Sequence, residues 1–153
     1  MNRIVVGVDG SPTSREALRW AIDLAAATGA TVDVIGAWSH PANFEWTVRT
    51  TNYGLIPVPE LPTPDHIQSA VRDSLADMVA GFDTHGATVT PRVVEGHPAD
   101  VLVDAAKDAD LLVLGRRGHG RVAEALLGSV SQHCIQHSPC PVVVVPVHEP
   151  DKD

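Results

Sequence analysis

The run Leu111-Leu112-Val113-Leu114 leads into Gly115-Arg116-Arg117-Gly118-His119-Gly120-Arg121-Val122-Ala123-Glu124-Ala125-Leu126-Leu127-Gly128-Ser129. The reading of this stretch decides the fold. Four consecutive aliphatic residues bounded by a glycine read as a buried strand. Gly128-Ser129 reads as the start of a helix, because serine beside a turn residue is a common helix opening. A glycine-rich turn between a strand end and a helix start exposes backbone N–H groups. The helix dipole adds partial positive charge at the same place. The stretch is therefore expected to hold the phosphates of a nucleotide.

Working outward, the same alternation of strand and helix repeats. Upstream, Gly96-His97-Pro98 opens a helix carrying Val101, Leu102, Ala105 and Ala106, and Thr88 to Val94 reads as a strand. Thr63-Pro64-Asp65 opens another helix, with Ile67, Val71, Leu75, Met78, Val79 and Phe82 at helical spacing and Gly86 as its stop. Thr31 to Trp38 and Ile4 to Val8 are strands. Between them lies a helix with Ser11 as N-cap, Pro12 at its first position and Gly29 at its end. Thr13 to Glu16 also fits a capping box one register later. Downstream, Ser129 to His137 is a helix broken by Ser138-Pro139-Cys140-Pro141, and Val142 to Val147 is the last strand. Five strands alternating with four helices predict an α/β fold: an open, single-domain parallel sheet with helices on both faces. Residues 39–63 stand outside the alternation and are expected to form a long loop or flap. They contain Phe44, Trp46 and Tyr53, and large aromatics favour packing over a floppy linker.

Composition narrows the function. The chain of 153 residues carries a formal net charge of -8. That argues against general binding to nucleic acid or an anionic membrane, since affinity for phosphate backbones comes largely from Lys and Arg. Arg116, Arg117 and Arg121 are nevertheless gathered in the glycine-rich stretch, which suits a local anion site. The two cysteines, Cys134 and Cys140, make no secreted disulfide framework. No signal-peptide pattern or membrane-length apolar run is seen, so the expected location is the cytoplasm.

In open parallel sheets, ligands bind beyond the carboxyl ends of the strands where strand order reverses. With the common order 3-2-1-4-5, the reversal falls between the first and fourth strands. The turns there are Asp9-Gly10-Ser11 and Gly115-Arg116-Arg117-Gly118, both polar and both containing glycine.

At this point the chain resembles the universal stress protein family, and the likeness runs along its whole length except 39–63. Gly115-x2-Gly118-x9-Gly128-Ser129 matches that family's ATP-binding pattern. Val6-Gly7-Val8-Asp9-Gly10-Ser11 resembles its first strand and acidic residue, and Ser138-Pro139-Cys140-Pro141 followed by four valines resembles its last junction. The resemblance implies an adenine nucleotide alpha hydrolase-like fold over residues 1–148, followed by a tail at 149–153, and binding of ATP with Mg²⁺. It implies that Asp9 lies near the ribose and the metal-bound phosphates. Gly7 and Val8 line the adenosine, with Ala37 against the adenine. Leu114, Gly115, Arg117 and Gly118 lie along the ribose and phosphates. Gly128, Ser129, Val130 and Ser131 form the phosphate-facing helix start. It also implies a homodimer through Val142–Val147, a run that would otherwise be an exposed sheet edge.

Other constellations read more plainly. His133 and His137 share a helix face near Cys134 and Cys140, but Cys-x5-Cys is not a usual zinc spacing, so a buried cysteine and surface histidines are expected. His97 and His119 are loop histidines, also weighed as phosphate contacts. Trp38 and Trp46 are expected to pack rather than stack on a base. There is no Walker lysine and no obvious general base, which points to slow hydrolysis or none; the resemblance implies a regulatory role in stress response. The alternatives are a slow ATP-hydrolysing or adenylyl-transferring enzyme, with Asp9, Arg117 or His119 as its candidate groups, and a dimeric interaction module that binds no nucleotide.

Overall fold

Strand β1 (Arg3–Val8) is apolar and fully covered along its centre, with Ile4, Val5 and Val6 at zero exposure. A strand buried on both faces needs helices above and below it, and the chain supplies them. The fold is a computed structural model that describes residues 1–39, 48–51, 54–57, 63–116 and 127–146. In chain order the remaining elements are α1 (Pro12–Thr28), β2 (Thr31–Trp38), β3 (Val48–Thr51), β4 (Gly54–Pro57), α2 (Pro64–Ala80), β5 (Val89–Glu95), α3 (Pro98–Ala106), β6 (Leu111–Gly115), α4 (Ser129–His137) and β7 (Val142–Val145). Five strands form a parallel sheet in the order β5-β2-β1-β6-β7. This is the predicted 3-2-1-4-5 order.

Helix α1 shows how local sequence sets the architecture. Ser11 is extended, and its Oγ accepts the Ser14 N–H at 3.3 Å. Pro12 occupies the first turn, where no N–H is needed. The cap thus falls on Ser11 rather than on the alternative box one register later. Gly29 ends the helix at φ 79° and donates to the Ala25 carbonyl at 2.8 Å, a left-handed cap that costs glycine little. Ala17, Leu18, Ala21, Ile22 and Ala25 form the buried stripe. It packs with Ile4, Val6, Val32, Val34 and Val113 on one face of the sheet, where Leu75 and Met78 of α2 join it. On the other face, Val5, Ile35, Leu112 and Leu114 meet Leu102 and Ala106 of α3 and Cys134 of α4. Alternate residues of each strand feed opposite cores, as the strand period requires.

Three differences from expectation exceed one residue. Helix α2 stops at Ala80, well before Gly86. The Gly81 and Phe82 amides reach back three residues to Met78 and Val79 at 3.2 and 3.1 Å, a tightened turn that ends the helix. Segment 39–63 contains an antiparallel hairpin, β3 paired with β4, where only a flap was expected. The last strand ends at Val145, because Pro146 has no N–H to continue the ladder; Val147 lies outside the described residues.

The amino-terminal edge of the sheet is pinned separately. The Asp110 carboxylate accepts the Asn2 and Arg3 amides at 2.7 and 2.9 Å. Those bonds, Arg3 foremost, hold its carboxyl below the ordinary value. Arg3 also donates to Asp33 at 2.7 Å across the neighbouring strand.

Leu18 is fully buried at the centre of the α1 face. Truncation to alanine leaves a cavity between α1 and the sheet. Leu18→Ala is expected to lower unfolding free energy by about 3 kcal/mol, read as a reduced urea midpoint with an unchanged m-value.

Candidate functional site

The carboxyl ends of β1 and β6 lie side by side. Val6 pairs with Val113, so two residues further along Val8 comes level with Gly115. From these ends the chain departs to opposite faces: β1 leads to α1 on one core, and β6 leads to α4 on the other. Neighbouring strands whose connections diverge leave a crevice at the sheet edge.

The first wall of the crevice is the turn from Val8 to Ser14. Asp9 is exposed, and its Oδ1 accepts the Ser11 N–H at 2.9 Å, an Asx turn that shapes the bend. Gly10 follows at φ 84°, a conformation suited to glycine. Behind the turn Ser11, Thr13 and Ser14 are buried polar residues. Ser11 Oγ and Thr13 Oγ1 share a hydrogen bond of 3.0 Å, and Ser14 Oγ donates to the Ser11 carbonyl at 2.9 Å. Burying hydroxyls is tolerable only with such partners.

The second wall is the end of β6 and the start of α4. Gly115 sits directly against the beginning of α1: a Cβ there would lie 2.7 Å from the Thr13 carbonyl carbon. The absence of a side chain lets the two backbones touch. Ser131 Oγ donates to the Gly115 carbonyl at 2.8 Å, which ties the first turn of α4 to the strand end. The Gly128 N–H donates to the Arg116 carbonyl at 2.9 Å, so the two ends of the connection meet at one point. Helices α1, α2 and α3 receive side-chain caps from Ser11, Thr63 and His97, whereas Gly128 gives α4 none. Among the described residues, the first amides of α4 thus have no side-chain cap at the mouth of the crevice.

The structure brings most of the predicted residues to this place, in differing roles. Asp9, Gly128 and Ser129 are at its surface, with Gly128 half-buried. Val8 is partly buried against the α1 core and Val130 against the α4 core. Ala37 is half-buried at the end of β2, one residue beyond Gly36, which pairs with Val8. Gly7 and Leu114 are buried, with Leu114 pointing into the α3 core, so only their backbones are available to a ligand. Ser131 is buried, and its hydroxyl is committed to Gly115. Arg117, Gly118 and His119 lie outside the described residues, as does Trp46. Thr13 was missed as a site residue: it is buried and packs against Gly115, and the capping box that sequence offered for it carries no sign of that contact. Trp38 is only 7% exposed, as packing predicts, but its indole N–H has no hydrogen-bond partner among the described residues. Among the described residues, no three metal-binding side chains form a ready-made cage.

The profile of the Universal stress protein family matches residues 1–146. The chain belongs to this family. A universal stress protein of Mycobacterium tuberculosis strain H37Rv is 33% identical over 149 residues, covering 97% of this chain and 48% of that protein. The chain therefore spans about half the length of that curated relative. A solved universal stress protein in complex with cAMP is 27% identical, with a TM-score of 0.67 over 96% of this chain and 98% of its own. The universal stress protein of Archaeoglobus fulgidus in complex with dAMP shares the fold at 23% identity and a TM-score of 0.64, covering 95% and 98% of the two chains.

The contact between Gly115 and Thr13 leaves no space for a methyl group. Gly115→Ala is expected to destabilise the fold by about 1–3 kcal/mol through overpacking. Thermal denaturation without nucleotide should show the loss, whereas Ser129→Ala, at an exposed position, should change the midpoint little.

Proposed function

We propose that this chain binds an adenine nucleotide in the crevice between β1 and β6 and acts as a regulatory protein of stress response. One observation carries the reading. Ser131 anchors the start of α4 at the end of β6, and that helix start has no side-chain cap among the described residues. Its amides and its positive dipole end are suited to phosphate oxygens. Family membership and the relative solved with cAMP support an adenine ligand.

The spacing Gly115-x2-Gly118-x9-Gly128-Ser129 favours ATP within this class. In the proposed arrangement adenosine lies along the backbone of Gly7 and beside Val8, with its base toward Ala37. The ribose and phosphates follow the backbone of Leu114 and Gly115 and then Arg117 and Gly118. The phosphates end at Gly128, Ser129 and Val130, while Ser131 positions that turn through Gly115. Asp9 faces the same crevice with an exposed carboxylate, which suits Mg²⁺ held jointly with phosphates; magnesium commonly takes one or two carboxylates and keeps the rest of its shell for phosphate and water. Binding neutralises developed charge but requires no proton transfer, and we assign no catalytic residue. Nucleotide occupancy would order the two walls against each other and so alter a surface read by a partner.

We further propose that the functional unit spans residues 1–148, works in the cytoplasm and pairs as a homodimer through the last strand. Strand β7 is an edge of the sheet, and Val142, Val143 and Val144 remain partly exposed along it. An unpaired strand of β-branched residues favours a second copy over solvent.

Ser129→Pro is the test. Proline is accepted at the first helical position and Gly128 is already extended, at φ -74° and ψ 164°, so the fold is retained while one amide donor is removed. Mg-ATP is expected to raise the melting temperature of the parent chain. Ser129→Pro should weaken binding by about tenfold or more, as expected for a lost charge-assisted hydrogen bond, whereas Ser129→Ala keeps most of it. Absence of stabilisation by ATP, AMP and cAMP alike would overturn the reading.

A further inference from the structure

One flank of α1 carries a large side chain that the core does not absorb. Trp20 is 39% exposed, and it is the one exposed Phe, Tyr or Trp among the described residues. Its place on the helix fixes the direction of that flank. Thr13 lies seven residues earlier, two turns back on the same side of α1. Thr13 packs against Gly115 at the end of β6, and Gly115 pairs with Val145 of β7. Leu24, one turn beyond Trp20, joins the core that contains Val143 and Val145. Arg19 stands on a different side of the helix, 5.9 Å over the Phe82 ring just past the end of α2. Trp20 therefore belongs to the flank of α1 that faces the free edge of the sheet, away from α2. On this face α1 lies over β1 and β6 and α2 over β2 and β5; among the described residues no helix there is centred over β7.

We propose that Trp20 anchors the homodimer, meeting a second copy of this chain above the paired last strands. The inference rests on the pairing through β7 proposed above and adds a side chain which that pairing does not involve. Two β7 strands paired antiparallel are related by a two-fold axis perpendicular to the sheet, so like faces stay on the same side. Helix α1, centred between β1 and β6, is then two strand spacings from the axis. With strands about 4.8 Å apart, the two α1 axes are about 19 Å apart. Helices in ordinary contact are about 8–10 Å apart. The joined sheet thus carries a trough between the two α1 helices, with the partly exposed Val143 of each copy on its floor. Trp20 stands on each wall of this trough, and only a long side chain spans it. Burying an indole from each copy beside the axis supplies the central aromatic contact that dominates many interfaces. Backbone pairing of β7 alone would leave the trough to water.

Sedimentation equilibrium of the parent chain and of Trp20 variants tests this. The parent is expected to be a dimer, with slower amide hydrogen exchange at Val142–Val145 than in the diluted monomer. Trp20→Ala should raise the dimer dissociation constant at least about tenfold. Trp20→Phe, which keeps a shorter ring, should raise it less. Arg72→Ala, at an exposed position on α2, should leave it unchanged. Urea midpoints of the diluted monomers report whether the variants fold. A dimeric parent whose dissociation constant is the same in Trp20→Ala would overturn the role of Trp20 and leave the pairing through β7 standing. If Trp20→Ala does not fold, an unchanged constant in Trp20→Phe overturns it instead. A monomeric parent would overturn both.

Discussion

Gly115 has no side chain, and the carboxyl-terminal end of the sheet is built around that absence. A Cβ would come within 2.8 Å of three atoms of Thr13, two of them backbone. Because it is missing, the start of α1 lies directly on the end of β6. The Gly115 carbonyl, fixed by this contact, accepts the Ser131 hydroxyl and so sets the start of α4. One close backbone approach therefore places two helix starts, one from each face, beside the same pair of strands. Glycine in a strand-to-helix turn is usually credited with clearing space for phosphate. Here the demand begins earlier, in the packing of the protein itself.

The division of labour at the crevice follows. Ser11, Thr13, Ser14 and Ser131 are buried and spend their hydroxyls on neighbouring protein groups. They hold the walls and have little left to offer a ligand. Asp9 and Ser129, at the first turn of α4, are exposed, and it is to these groups that the proposed binding chemistry falls. An arrangement made of amides, a dipole and one carboxylate recognises charge and shape. It lacks the lysine that would follow charge onto a transferring phosphoryl group. Occupancy sensing is therefore the role we propose for it.

Much of this was legible in the residues. Strand β2 and helix α4 have the predicted limits because their boundaries are written in turn chemistry, Gly29 before one and Gly128 before the other. The parallel sheet followed from the alternation of elements, whereas its order was taken as the common one for such sheets and agrees with the structure. What was not legible has physical causes. The hairpin β3–β4 joins its strands without an Asn-Gly or Asp-Gly pair, so nothing local announced it. Helix α2 ends where tertiary packing draws Phe82 back onto the core, and helical spacing alone carried Phe82 inside the helix. Leu114 and Gly7 belong to the binding pattern but are buried, since a one-dimensional motif does not distinguish a backbone contact from a side-chain contact. Thr13 was hidden for the converse reason: its importance lies in a partner one hundred residues away in the chain.

The central claim is that an adenine nucleotide occupies the crevice between the ends of β1 and β6. Backbone amide NMR during titration with Mg-ATP tests it most directly. The amides of Gly10, Gly115, Ser129 and Val130 should shift together and saturate at one ligand per chain, while those of Asn2 and Asp110 at the opposite edge of the sheet stay in place. Shifts centred elsewhere on the chain, or none at saturating nucleotide, would contradict the account.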